Sequence, residues 1–461
     1  MSDILCTAQK SPASFTLVRR HKREYLQVDV KDGKITQMKS STVEGSGVRC
    51  LLNSSWGFAC STDAEELCNL VEKAVKAARA SAGNKAKAKT KAKTKEFDLA
   101  PAPVVRGNWV SPVRNPITYE NLEEIIDHIK EADTIASEYP EIISRQISFL
   151  STCDEKETAT SEGTSLTQKE YRVFCTAAVI AKVSGRMAMS NNAVGGQFGE
   201  EFFSKDDLCN MVKKECERAL RLATAIMPPA GKSDVVLRPE VAAVLIHEAV
   251  GHAAEADVVL GGSYLSGKVG EKIGHECVTL LDDGTYQGGF GSYGFDDEGV
   301  TSQKTVIIEK GYLKHYLHSR ETGSNHAPTG NARAWLYSRE PLIRMTNTYL
   351  EPQDYSYEEL IQEVGTGLVL KGITSGLADH FGNFTLHIPE AQKIERGILG
   401  DTVYSGVSVS ANAFDLLGAL SAVGDESTFE LVPGVCGKGE PAFVGMGAPA
   451  VATSVVVGGQ V

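Results

Sequence analysis

His247, Glu248 and His252 fall within six residues of one another in the stretch PEVAAVLIHEAVGHAAEAD, Pro239 to Asp257. Two imidazoles and a carboxylate that close can hold a metal ion and activate a water molecule beside it. Val241, Val244, Leu245, Ile246, Ala249, Val250 and Ala253 make the stretch apolar nearly all round. A helix of that kind is buried. Pro239 opens it at a first helical position, where the missing N–H would have no partner anyway. Burying two imidazoles and a carboxylate costs several kcal/mol unless they find partners. Hydrogen-bonded core residues would satisfy that condition, and so would one metal ion that explains all three at once.

The spacing decides what the helix must do. In the familiar zinc-peptidase pattern, H-E-x-x-H, the histidines are four apart on one face. Here they are five apart, which on an ideal helix turns them about 140° from each other. They converge only through an i→i+5 turn or a break, and Gly251 would ease either one. The expectation is therefore a departure from α geometry between His247 and His252. With zinc held there, Glu248 would act as general base and then as proton donor to the leaving amine. Glu255 and Asp257 are candidates to accept the imidazole N–H groups; the alternative for both is a solvated helix end. A catalytic zinc takes three protein ligands and keeps one open position. A third donor is required, and Glu255 is the nearest in sequence.

The elements around this stretch divide the chain. Its 461 residues suffice for two or three domains. EYLQVDV-KDG-KITQMKS reads as a hairpin, and GVRCLLNSSWGFAC continues the strand pattern. Thr62 and Glu65 have capping-box spacing before a helix lined by Leu67, Leu70, Val71, Ala74, Val75 and Ala78. GNKAKAKTKAKTKEFDLAPAP is a basic, low-complexity linker. A helix from Thr118, a β-rich run and a helix opening at Ser204 follow, with Pro228-Pro229 as a stop. Beyond Asp257 the chain reads as Gly-rich and β-like to residue 300, and TVIIE-KG-YLKHYL reads as another hairpin. The expected fold is α+β with mixed sheets: a small N-terminal α/β unit (1–83), the linker (84–105), a middle α+β arm (106–229), and a larger β-rich C-terminal domain (230–461) that carries the metal helix. His380 and His387 acquire no metal role.

Composition limits the partners. A formal charge of -12 argues against nucleic acid, because neutralising phosphates needs a basic surface. No apolar run is long enough to span a bilayer. The start, MSDILCTAQK, lacks a signal peptide's basic start and apolar core. The ten cysteines include no C-x-x-C pair and read as reduced thiols, so the expected compartment is the cytoplasm, with no nucleic-acid and no membrane partner.

The motif HEAVGHAAEAD resembles the signature of the TldD branch of the TldD/PmbA family of metallopeptidases. Other landmarks agree in order: GSGVRC with WGFACST, DDEGVTSQKTVIIEKGYLKHYLHSRETG, PLIRMTNTYLEP, GNFTLHIPEAQKIERG and PGVCGKG. The resemblance spans nearly the whole chain and implies a zinc-dependent peptidase acting on peptides. The family's GxCGK segment supplies a metal-binding thiolate, which implies Cys436 as the third ligand. Gly434 and Gly437 around it suggest a tight, permissive turn, and a thiolate binds zinc strongly. PLIRMTNTYLEP matches a segment near the family's catalytic centre. Arg344 and Asn347 there could grip a peptide main chain or carboxylate, or could form a structural hydrogen-bond corner. The resemblance further implies a dimer, commonly a heterodimer with a PmbA (TldE) paralogue that lacks the metal motif. A description of the family as gyrase modulators leaves a second reading open: a non-catalytic, metal-containing modulator or scaffold subunit.

Overall fold

The computed structural model describes residues 2–62, 67–87, 98–202, 204–323, 326–379 and 381–459. Glu65, His380 and residues 88–97 of the expected linker lie outside them. The fold is a mixed α+β arrangement of several sheets, as the element pattern implied.

The expected N-terminal unit and middle arm share a single sheet. Its strand Phe15–Lys31 pairs on one side with Lys34–Leu52 and on the other with Ile142–Thr160, over nearly its full length. Ser165–Val183 and Arg186–Gly196 extend the sheet beyond. The turns behave as the sequence predicts. Asp32 and Gly33 both have positive φ, 51° and 79°, which is what a two-residue turn matching the strands' right-handed twist requires. The helix Leu67–Lys87 buries Leu70, Val71, Ala74 and Val75 on one end of the sheet. The helices Leu122–Ser137 and Lys205–Thr224 bury Ile125, Ile129, Val212 and Ala219 on the other, against Val28, Phe149, Cys175 and Ala177. Ser204 caps the latter helix, accepting from the N–H of Asp207, and that helix ends at Thr224, before the two prolines.

The sheet also carries buried charge. His21, Arg23, Asp154, Glu170 and Arg172 are each at most 3% exposed. Arginines tie the sheet to the C-terminal domain: Arg19 pairs with Asp297, Arg49 with Glu298, and Arg172 donates to the carbonyls of Phe290 and Ser292.

In the C-terminal domain five strands close into a ring: Gly367–Lys371, Gly231–Leu237, Val451–Gly459, Ile398–Asn412 and Asn383–Glu395, the last pairing back to the first. A separate sheet runs through Leu280–Asp283, Asn347–Leu350, Glu440–Ala448 and Glu430–Lys438. The helix Pro239–Ile246 packs between ring and sheet, and the largest apolar cluster among the described residues surrounds it. The β-like expectation for 258–300 fails: within it only Leu280–Asp283 is a strand of more than one residue. Aspartates divert the main chain into turns there. Asp296 alone accepts the N–H groups of Glu298, Val300 and Ala332.

Candidate metal centre

The helix that begins at Pro239 is α only as far as Ile246. From His247 to Gly251 it is a π turn, and the N–H of His252 donates to the carbonyl of His247, five residues back. The extra residue in the turn cancels the rotation that separates the two imidazoles on an α-helix. Their ring centroids lie 5.1 Å apart at an interplanar angle of 79°. A π turn unsettles the hydrogen-bond ladder, and a side chain supports it here: the hydroxyl of Tyr264 donates to the carbonyl of Ala249 at 2.8 Å. Gly251 is needed for space rather than for backbone freedom, since a Cβ there would sit 2.1 Å from Sδ of Met345. A 3-10 turn follows to Ala254, and the chain extends at Glu255.

Cys436 comes to this turn from the far end of the sequence. It lies on the strand Glu430–Lys438, opposite Ala442 of Glu440–Ala448. The glycine-rich turn expected around it is thus a β-hairpin arm, and the reversal comes at Gly439, with φ 73°. The ladder pairs Gly434 and Gly437 like other strand residues, so main-chain hydrogen bonding sets the conformation. Sγ of Cys436 is 3.1 Å from Nε2 of His252. One donor atom each from His247, His252 and Cys436 all lie within 4.8 Å of one another.

Glu255 orients this group. Nδ1–H of His252 donates to its Oε2 at 3.0 Å, which leaves Nε2 of His252 turned toward Cys436. Glu255 thus serves an imidazole and does not itself join the three donors. Among the described residues Asp257 pairs with Lys438, at 2.8 Å, and with no imidazole. Arg344 is 1% exposed, and its guanidinium donates to the carbonyls of Cys436 and Glu440 on either side of the hairpin turn. Asn347 is fully buried, donating to the carbonyl of Asp283 and to Ser292 Oγ and accepting from the N–H of Gly291. Distant strands thus bring in the groups that both side chains bond, while Nε of Arg344 has no hydrogen-bond partner among the described residues.

The electrostatics follow from burial. His247 is 1% exposed and its Nδ1 has no hydrogen-bond partner. Burial, with His252 and Arg344 nearby, holds its pKa well below the usual histidine value. Burial pushes the carboxyl of Glu248 up, and His252 offsets part of that. For His252 burial alone would depress the pKa, but Cys436 and Glu255 outweigh it and raise it to about 10. An orphaned imidazole nitrogen, a second imidazole with its other nitrogen anchored, and a thiol form a donor set suited to zinc. The residues present fit that ion.

Glu248 stands on the open side of the helix. Glu240, Val244 and Glu248, spaced four apart, are half-buried, while most of their neighbours are buried. Glu240 and Val244 line a cavity of about 740 Å³ that Asn191–Gly195, Arg218, Arg238 and Leu431–Pro433 also border. Glu248 follows Val244 one turn later on the same helix, and Cys436 follows Pro433 on the same strand. Sequence reasoning missed Tyr264, Met345 and Lys438 at the site. Only for Lys438 was there a signal, its place two residues from Cys436.

The chain matches three family profiles in order: PmbA/TldA metallopeptidase domain 1 over 18–78, the central domain over 115–223 and the C-terminal domain over 230–459. A metalloprotease of Methanocaldococcus jannaschii is 37% identical, with 93% of this chain and 94% of that one covered. A protein of Saccharolobus solfataricus named a zinc metalloprotease TldD homolog is 27% identical, with 98% of each covered. The fold is shared with a Thermotoga maritima protein described as a candidate modulator of a DNA gyrase (TM-score 0.80, 20% identical, 99% of each chain covered). It is shared too with TldE of Thermococcus kodakarensis (TM-score 0.77, 18% identical, 99% of each chain covered).

Proposed function

The chain belongs to the PmbA/TldD family of metallopeptidases, and we propose that it is a zinc-dependent peptidase that hydrolyses unfolded peptides or small proteins. The observation that carries this reading is the convergence of His247, His252 and Cys436 to within 4.8 Å at a π turn, with Glu248 beside them. Those three residues would hold the ion. When bound, zinc supplies a Lewis acid that polarises a carbonyl and lowers the pKa of a water molecule. Glu248 accepts a proton from the attacking water at its carboxylate and returns it to the leaving amine. Its half-buried setting, which raises its pKa, suits a base working near neutrality. Glu255 holds the His252 ring in one tautomer. An extended peptide would approach along the cavity lined by Glu240 and Val244, on the same helix as Glu248.

The description of the Thermotoga neighbour favours a second reading, a metal-containing modulator or scaffold subunit without catalysis. A structural zinc is closed by four protein ligands, whereas a catalytic one keeps a position open. Among the described residues the donor group has three members, which supports the open site. The test is hydrolysis of a mixed pool of unfolded peptides by purified protein containing one zinc per chain. A chelator should abolish cleavage while circular dichroism stays unchanged, and zinc should restore it. A zinc-loaded, folded protein that cuts nothing in the pool favours the second reading.

The same proposal has the protein working as a dimer, with a second copy or with a PmbA/TldE-type paralogue. Full peptidase activity from a verified homogeneous monomer would refute that part. No described helix is long and apolar enough to cross a membrane; placing the protein in the cytoplasm stays part of the proposal.

A further inference from the structure

Cys436 and Lys438 are two residues apart on one strand, so their side chains leave the same face. That face meets the end of the metal helix. Nζ of Lys438 lies 3.1 Å from Oε2 of Glu255 and 2.9 and 2.8 Å from the two carboxylate oxygens of Asp257. The same Oε2 of Glu255 accepts from Nδ1 of His252. One buried oxygen therefore stands between the imidazole of one candidate donor and the ammonium two residues beyond another.

Glu255 is 0% exposed, and its Oε1 has no hydrogen-bond partner. A carboxylate that deep is unfavourable unless paired with a cation, and Lys438 supplies the cation. Arg344 holds the main chain of the same hairpin through the carbonyls of Cys436 and Glu440. Lys438 attaches the end of that strand to the helix itself.

This inference rests on the zinc-peptidase reading: we infer that Lys438 is a positioning residue, fixing the His252 ring through Glu255 and the reach of the Cys436 thiolate through its own strand. An ion pair that only braced the fold would shift thermal stability and leave the metal's surroundings alone. A positioning residue changes both the affinity for the ion and its ligand geometry.

The experiment compares full-length wild type with Lys438→Met, which keeps the stem and loses the charge, and with Lys438→Arg. Zinc affinity is measured by competition with a chromophoric chelator. The thiolate-to-metal band of the cobalt(II)-loaded protein reports on Cys436. Lys438→Met should bind zinc roughly 10- to 100-fold more weakly, as losses of residues supporting metal ligands do, with a weakened or shifted cobalt band. Lys438→Arg should recover most of both. Zinc affinity within twofold of wild type and an unchanged cobalt band in Lys438→Met would overturn the proposal while leaving the metal reading standing. Wild type that binds no stoichiometric zinc overturns both. If Lys438→Met does not fold, Lys438→Gln carries the same expectation and the same reversal.

Discussion

Sγ of Cys436 lies 3.1 Å from Nε2 of His252, although 184 residues separate them in the chain. The approach depends on two unrelated elements, a helix that switches to π geometry and a hairpin arm laid against its end. Cys436→Ser should therefore lose most bound zinc and most activity. Cys68→Ser, at an exposed position on the helix Leu67–Lys87, should change neither. Metal analysis and X-ray absorption check this. Stoichiometric zinc in Cys436→Ser, with no sulfur near ~2.3 Å in the wild type either, would send the search for the third ligand to Glu255.

Glu248→Gln should retain zinc and fold and lose on the order of a hundred- to ten-thousandfold in turnover, the usual cost of removing a general base. The glutamine amide cannot take up a proton. Wild-type turnover in the purified variant would remove Glu248 from the mechanism.

Gly251→Ala should destabilise the protein by about 1–3 kcal/mol, the range for overpacking a core, because its Cβ would fall 2.1 Å from Sδ of Met345. Met345→Ala clears that space, so the double variant should be more stable than the sum of the two single losses allows. Urea denaturation of the four proteins closes the cycle. Additive losses would mean that the π turn, not Met345, rejects the methyl.

Asp297 is 3% exposed, with Arg19 at 3.1 Å and Lys156 at 3.6 Å. Burial opposes its charge, yet Lys156 and Arg19 hold its pKa down at about 2. A carboxylate whose folded pKa is depressed stabilises the fold fully above the ordinary carboxylate range, and less as pH falls through the folded value. A displacement from the ordinary aspartate value to about 2 corresponds to roughly 2 kcal/mol. Asp297→Asn should be less stable than wild type at pH 7 by at least that much, and the difference should narrow between about pH 4 and pH 2. The buried neighbours Asp296 and Glu298 are shifted upward and act in the opposite direction, but they are present in both proteins. A gap constant from pH 5 to pH 2 would contradict this account of Asp297.

What could be read in advance was local. The five-residue spacing of His247 and His252, with Gly251 between them, dictated a π turn or a break, and the π turn is there. The Asp32–Gly33 hairpin and the Ser204 cap depend only on neighbours in sequence. What escaped depends on strands that meet across long separations. Nothing near Phe15–Lys31 announces that Ile142–Thr160 will lie beside it in one sheet. Arg344 and Asn347 were expected either at substrate or in a structural corner. Their hydrogen bonds go to Cys436, Glu440, Asp283 and Ser292, groups from distant stretches that no local reading can place. Gly434 and Gly437 suggested a turn at Cys436 because glycine's local freedom says nothing about a partner strand that imposes pairing.

The distance in sequence between the two histidines and Cys436 also sets a timetable. During synthesis His247 and His252 both join the chain before Cys436, which is the 184th residue after His252, so a growing chain carries two of the three donors without the third. The strand Glu430–Lys438 must also pair with Glu440–Ala448, made later still, before the thiol is held in place. Under the peptidase reading, a protein that cuts unfolded chains completes its own site only when nearly all of it has been made.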